Sequence, residues 1–266
     1  MAQGLLDCLC VYVQTKHTDP LQECTKSTLS VCRTSNREGP AMPQLILTSD
    51  GLTSQPLRDA FDKMLAPLNP SKASMWYIPT ALLHDGGSMA HCKGMSQRVA
   101  STHGIGRVEI LDPEHCQGKD LEAAVQKLEP IAVVYAELGN TYALRHHLRA
   151  SGGDELVKSL VASGAIFVGA SAGSIVAGRT IQMAFWKGWD DETADGTIKV
   201  DWRDPENAAG LDLCGGRSMF PHANGRFGDP RWQEAQAQKH GHTDHEVIKL
   251  ADGEGFVIDG DQAYKL

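Results

Sequence analysis

The chain has 266 residues, 41% hydrophobic and 22% charged, enough for one large α/β domain or two small ones around a sizeable core. Its net charge of −8 makes it a poor partner for phosphate backbones, so no nucleic-acid binding is expected, and no apolar run approaches the roughly 18 residues of a membrane span. The odd count of seven cysteines argues against a disulfide framework and for a reducing, cytoplasmic setting.

Residues 1–41 hold four of those cysteines, Cys8, Cys10, Cys24 and Cys32, without the paired C-x-x-C spacing of a structural zinc site. They show no clean periodicity and end in the polar stretch Arg33–Pro40, so they read as a loosely ordered N-terminal extension to a single α/β domain over 42–266. The basic start and apolar centre of a secretory signal are missing. Asp7, Asp19, Glu23 and Glu38 are unusual for a transit peptide, although organelle targeting by this segment stays open.

From Met42 the pattern is regular. Leu45-Ile46-Leu47 reads as a buried strand, and Leu57, Phe61, Met64, Leu65 and Leu68 repeat at helical spacing. Strands follow at 75–78, 108–111 and 131–135, separated by helical stretches at 88–102 and around Leu121, Val125 and Leu128. Helices around 143–149 and 155–162 lead to a further apolar run at 165–168. Alternating strands and helices with short connections predict a mostly parallel, doubly wound sheet with helices on both faces and ligands outside the carboxyl ends of the strands. Residues 181–210 carry no clear element and read as a substrate-facing excursion. Late strands return at 247–250, 256–258 and 263–264.

The segment Gly169-Ala170-Ser171-Ala172-Gly173 joins the fifth strand to a helix-like run, which is the layout of a nucleophile elbow. Its glycines suit a turn too sharp for side chains on either side of the serine. The turn also aims the first free N–H groups of the next helix at the spot where negative charge would develop. A serine hydroxyl needs a base within hydrogen-bond reach and an acid to orient that base. Among eleven histidines, His222 in Phe220-Pro221-His222-Ala223-Asn224-Gly225 ends a strand-like segment, a position that suits a fixed imidazole and equally a structural loop histidine. Asp252 lies in the turn Leu250–Gly255, with Glu254 two residues away as its rival. Gly139, after the fourth strand, lets a backbone N–H approach a substrate closely; with the N–H of Ala172 it would form an oxyanion hole. Asn140 or Thr141 beside it is also a plausible helix N-cap. The histidine groups at 146–147 and 240–245 and the pairs His91-Cys92 and His115-Cys116 have no spacing that links four ligands, and no metal site is expected.

With these residues assembled, the chain from Met42 to the C-terminus resembles the peptidase E family of serine peptidases, which also includes cyanophycinases. The resemblance rests on Gly139-Asn140-Thr141, Gly169–Gly173, Pro221-His222 and Val247–Gly253, in the family's order and at similar spacing. It implies a fold like that of class I glutamine amidotransferases, with serine where those enzymes carry cysteine. It further implies Ser171 as nucleophile and His222 as base, and places Asp252 where the family usually carries glutamate. The activity implied is hydrolysis of small peptides, dipeptides foremost, through an acyl-enzyme, with no metal or organic cofactor and room for a homodimer. Two departures concern specificity. Glu137-Leu138-Gly139 stands where aspartyl dipeptidases of the family carry a triple glycine, and Phe185–Asp191 stands where they carry Asn-Asp-Met-Pro. Asn140, Thr141, Trp186, Asp190 and Arg231 are the expected substrate contacts: Asp190, with Asp191 and Glu192, for an α-ammonium group, and Arg231, with Arg179 and Arg226, for a carboxylate. Two rival readings remain. One is an α/β-hydrolase-type esterase, whose acid would precede His222, as Asp204 does. The other is a non-catalytic binding or sensing relative.

Overall fold

The computed structural model describes residues 43–266. The expected N-terminal extension and its four cysteines lie outside the described residues.

Five strands form the parallel part of a seven-stranded sheet: β1 (Gln44–Thr48), β2 (Ser74–Ile78), β3 (Arg107–Ile110), β4 (Ile131–Ala136) and β5 (Ile166–Ala170). Between and after them run α1 (Gln55–Leu65), α2 (Thr80–Leu83), α3 (Met89–His103), α4 (Gly118–Leu128), α5 (Thr141–Ser151), α6 (Gly153–Ala162), α7 (Ala172–Ala177) and α8 (Gln182–Lys187). The chain continues through β6 (Ser218–Phe220), α9 (Gly225–Gly228), α10 (Pro230–His240), β7 (Val247–Lys249), β8 (Gly255–Asp259) and β9 (Gln262–Lys265). The sheet order is β3-β2-β4-β5-β1-β8-β9, with β8 and β9 antiparallel at one edge.

Every residue of β2 and β5 is buried, as strands covered on both faces require. Alternation sorts their side chains into two cores. Leu45, Leu47, Trp76, Ile78 and Phe167 pack with α4 to α8 on one face. Ile46, Met75, Tyr77, Val133 and Val168 pack with α1 and α3 on the other. The fold is therefore the doubly wound α/β sheet that the sequence predicts.

Two segments depart from the sequence reading. Residues 181–210, read as an excursion without a clear element, are anchored in the core. Their first turns form α8, and Ala194, Ile198, Trp202 and Ala208 are buried in the core without any regular period. The ends of the segment close on each other through the Thr180–Ala209 bridge and the bond from Gly210 N–H to Arg179 C=O. The strand at 247–250 stays outside the main sheet. It forms β7, which pairs in parallel only with β6 as a separate two-stranded ribbon.

Candidate active site

Strand pairing brings the site together. β1 and β5 are adjacent and parallel, so Ser49, just after β1, and Ser171, just after β5, stand at one carboxyl edge. β6 and β7 are parallel too, so the loops that leave them, with His222 and Asp252, emerge side by side. Leu250 N–H to Phe220 C=O (3.0 Å) and Ala223 N–H to Leu250 C=O (2.8 Å) carry the pairing past the strand ends.

Ser171 is the N-cap residue of α7 and sits at φ 42°, ψ −98°, a sparsely populated region that costs on the order of 1–3 kcal/mol. The strain thus resides in the serine itself. The flanking glycines serve space, because a Cβ on Gly173 would lie 2.2 Å from Ala136 O and one on Gly169 would lie 2.7 Å from the Gly173 carbonyl carbon. Ser171 N–H donates to Thr48 C=O (3.1 Å), and Ser174 Oγ donates to Gly169 and Thr48 carbonyls, so the turn is bound to both adjacent strands.

Ser171 Oγ lies 3.0 Å from His222 Nε2, and His222 Nδ1 lies 2.6 Å from Asp252 Oδ1. His222 also has positive φ, 56°. Ser49, which the sequence reading passed over, ties this row together. Its hydroxyl donates to Asp252 Oδ1 (2.8 Å) and accepts from His222 N–H (2.8 Å). Asn224 Nδ2 donates to Asp252 Oδ2, and Asp252 N–H donates to Asn224 Oδ1. Burial works to raise the Asp252 pKa, but the bonds from Ser49 and His222, with the nearby charge of Lys187, hold the carboxyl below its ordinary range. Glu254 is engaged elsewhere. It accepts from Ala251 N–H at 2.7 Å and pairs with Lys265 at 2.6 Å. Asp204 accepts from Glu206 N–H in a turn of the 181–210 segment.

Ala172 is the first residue of α7, so its N–H has no intrahelical acceptor. Gly139 has φ 129°, and a Cβ there would lie 2.2 Å from Ala81 O, so only glycine fits. The preceding Glu137 is buried, which raises its pKa. It accepts from Tyr77 Oη and from Leu138 N–H, fixing the entry to the turn.

The expected substrate contacts fall in different places. Asn140 Oδ1 caps α5 by accepting from Ala143 N–H, and its amide donates to Asp191 C=O. Thr141 is buried, and its N–H donates to Asp190 Oδ2 at 2.9 Å. Trp189 reaches the other way, with its ring 5.4 Å from that of His222. Residues 189–191 therefore span from the imidazole to the start of α5. Trp186 is buried against Phe220, with its indole N–H unpartnered among the described residues. Arg231 is exposed in the first turn of α10. A cavity of about 460 Å³ is lined by Trp186, Lys187, Arg203, Arg226, Trp232 and Lys239 among others; neither Ser171 nor His222 lines it. Lys187 is buried, and desolvation lowers its pKa to about 8 in spite of Asp190 and Asp252 nearby. No signal in the sequence marks Lys187, which ends a six-residue helix.

Such a row of hydroxyl, imidazole and carboxylate, next to an unpaired helix N-terminal N–H, can move a proton from the serine and hold an oxyanion. No helix among the described residues is long and apolar enough to cross a membrane. The sequence matches the model of peptidase family S51 over residues 45–266. In structure it is similar to a Listeria monocytogenes EGD-e protein assigned as a peptidase E, with a TM-score of 0.64 and 22% identity over 85% of this chain and 98% of that one. It is also similar to a peptidase from an acI-B1 Actinobacterium, with a TM-score of 0.61 and 16% identity over 86% and 89% of the two chains. At these identities the structural likeness concerns the fold. No curated protein matches the chain significantly.

Proposed function

The chain belongs to peptidase family S51, and from that premise we propose that it is a serine peptidase of small peptides, dipeptides foremost, working through an acyl-enzyme. The observation that carries this reading is the unbroken row from Ser171 Oγ through His222 to Asp252 at the carboxyl edge of β5. In the proposed reaction His222 Nε2 takes the Ser171 proton as Oγ attacks the scissile carbonyl. The N–H groups of Ala172 and Gly139 hold the oxyanion. Collapse of the tetrahedral intermediate breaks the C–N bond, and the leaving amine takes the proton from His222. A water deprotonated by the same nitrogen then attacks the ester, and Ser171 regains its proton. Asp252 keeps the ring oriented with Nδ1–H toward the carboxylate.

The span from Trp189, beside the His222 ring, to Asp190 on the start of α5 narrows the approach to the imidazole, which favours short peptides over folded chains. Asp190 keeps one carboxylate oxygen for an α-ammonium group, and Asn140 and Thr141 hold that segment against α5.

The test is turnover of a dipeptide library with acidic and isoaspartyl N-termini included, together with labelling by a reactive-serine probe. The wild-type chain is expected to label and to hydrolyse a subset of the library. Ser171→Ala is expected to do neither, and His222→Ala to lose about four to six orders of magnitude in kcat. A well-folded wild-type chain that never labels and cleaves nothing would replace this reading with that of a binding or sensing relative.

A further inference from the structure

A second cluster, which the proposed hydrolysis does not use, joins three segments. His84 ends α2, Glu114 lies between β3 and α4, and His147 is on α5. Glu114 presents one carboxylate oxygen 2.7 Å from His84 Nε2 and the other 3.9 Å from His147 Nε2, and the three ligand atoms all lie within 4.8 Å of one another. The two imidazoles stack 5.4 Å apart at 21°, so both Nε2 edges face the same carboxylate. His147 Nε2 is fully enclosed and has no hydrogen-bond partner among the described residues. The Glu114 oxygen is too distant to serve as one. An enclosed ring nitrogen without a partner is costly as either donor or acceptor.

We infer that His84, Glu114 and His147 form a binding site for a divalent transition-metal ion, zinc foremost, through two imidazole nitrogens and a carboxylate. Donors on a tetrahedral zinc ion, at roughly 2.0–2.1 Å from it, stand about 3.4 Å apart. That spacing lies between the two contacts Glu114 makes, so small side-chain rotations suffice. Two histidines and a carboxylate leave a fourth position for water, a donor set zinc accepts readily. A supporting layer is in place. Asp112 accepts from Thr80 Oγ1 at 2.6 Å, from Glu114 N–H at 3.2 Å and from His115 Nδ1 at 3.0 Å, which fixes the loop that carries Glu114. The ion clips α2 and the Glu114 loop to α5, the helix that begins beside Gly139.

The test titrates zinc into the reduced full-length chain and into Glu114→Gln and His147→Ala, each checked for native circular dichroism. The comparison is needed because thiolates elsewhere in the chain also take zinc. Wild type is expected to bind one more equivalent than either variant, or to bind that equivalent more than tenfold more tightly. Saturating zinc is expected to raise the melting temperature of the wild type alone. Cobalt at the site is expected to give visible absorption without thiolate bands, lost in both variants. Equal stoichiometry and affinity in wild type and variants would overturn the inference. So would a cobalt difference spectrum, wild type minus variant, that carries thiolate bands. If His147→Ala does not fold, Glu114→Gln, at a partly exposed position, decides the matter.

Discussion

Ser49 occupies the point where two strands meet one loop, and its hydroxyl is shared between His222 and Asp252. The bond it donates to Asp252 and the bond it accepts from His222 N–H fix the imidazole at both ends of its own peptide and ring. Removing a hydroxyl that bonds both a carboxylate and a peptide N–H typically costs about 1.5–3 kcal/mol, so Ser49→Ala is expected to lower kcat about ten- to hundredfold with little change in KM. Asp252 and Glu254, two residues apart, should separate cleanly. Asp252→Asn leaves His222 without its carboxylate and is expected to lower kcat by about three to four orders of magnitude. Glu254→Gln disturbs only the Ala251 and Lys265 contacts and is expected to keep activity within a few-fold of wild type. Steady-state kinetics on one dipeptide checks all three variants, and the reverse order for the two acids would move the orienting role to Glu254.

At the scale of elements, the turn into α7 works because helix and sheet approach more closely than any side chain allows. A Cβ on Gly173 meets the Ala136 carbonyl at a distance that no rotamer relieves, so β4 or α7 must move. Gly173→Ala is therefore expected to destabilise the chain by about 2–4 kcal/mol and to displace Ser171 as well. Denaturant unfolding would show the first effect and loss of probe labelling the second; a fully stable, fully labelled variant would refute the close-packing account. The β6–β7 ribbon has the complementary task. Its parallel pairing delivers His222 and Asp252 to the same end, which an antiparallel hairpin of the same length would not do.

For the whole molecule, Lys187 gives stability an alkaline slope. Burial disfavours its charged form in the fold, so its pKa there is about 8, below the roughly 10.4 of an unfolded lysine. Between these values the unfolded chain holds the extra proton, so stability attributable to this residue rises with pH and levels off above the unfolded pKa. Between about pH 7.5 and pH 9.5 wild type is expected to gain roughly 2 kcal/mol relative to Lys187→Met, read as converging denaturant midpoints if the variant starts higher. Parallel curves would show that the ammonium is not desolvated. Much of this architecture was legible in the sequence. The five parallel strands announce themselves as short apolar runs, and Gly169–Gly173, His222 and Asp252 stand out through their turns; the structure places the serine, the histidine and the aspartate within hydrogen-bond reach of one another. What stayed hidden depends on spatial neighbours. Ser49 matters only because β1 lies beside β5, a crossover no periodicity encodes. Trp202 and Ile198 are buried by irregular turns, so the segment around them shows no periodic element. Asp190 and Asn140, read as substrate contacts, also serve the chain itself by capping α5.

The ribbon of β6 and β7 shares no ladder with the seven strands that carry Ser171. Hydroxyl and imidazole are thus mounted on separate ladders, joined by Ser49 and by the packing of β6 against α7 in one core. Competence for the proposed chemistry then depends on how well that shared packing keeps the two ladders aligned.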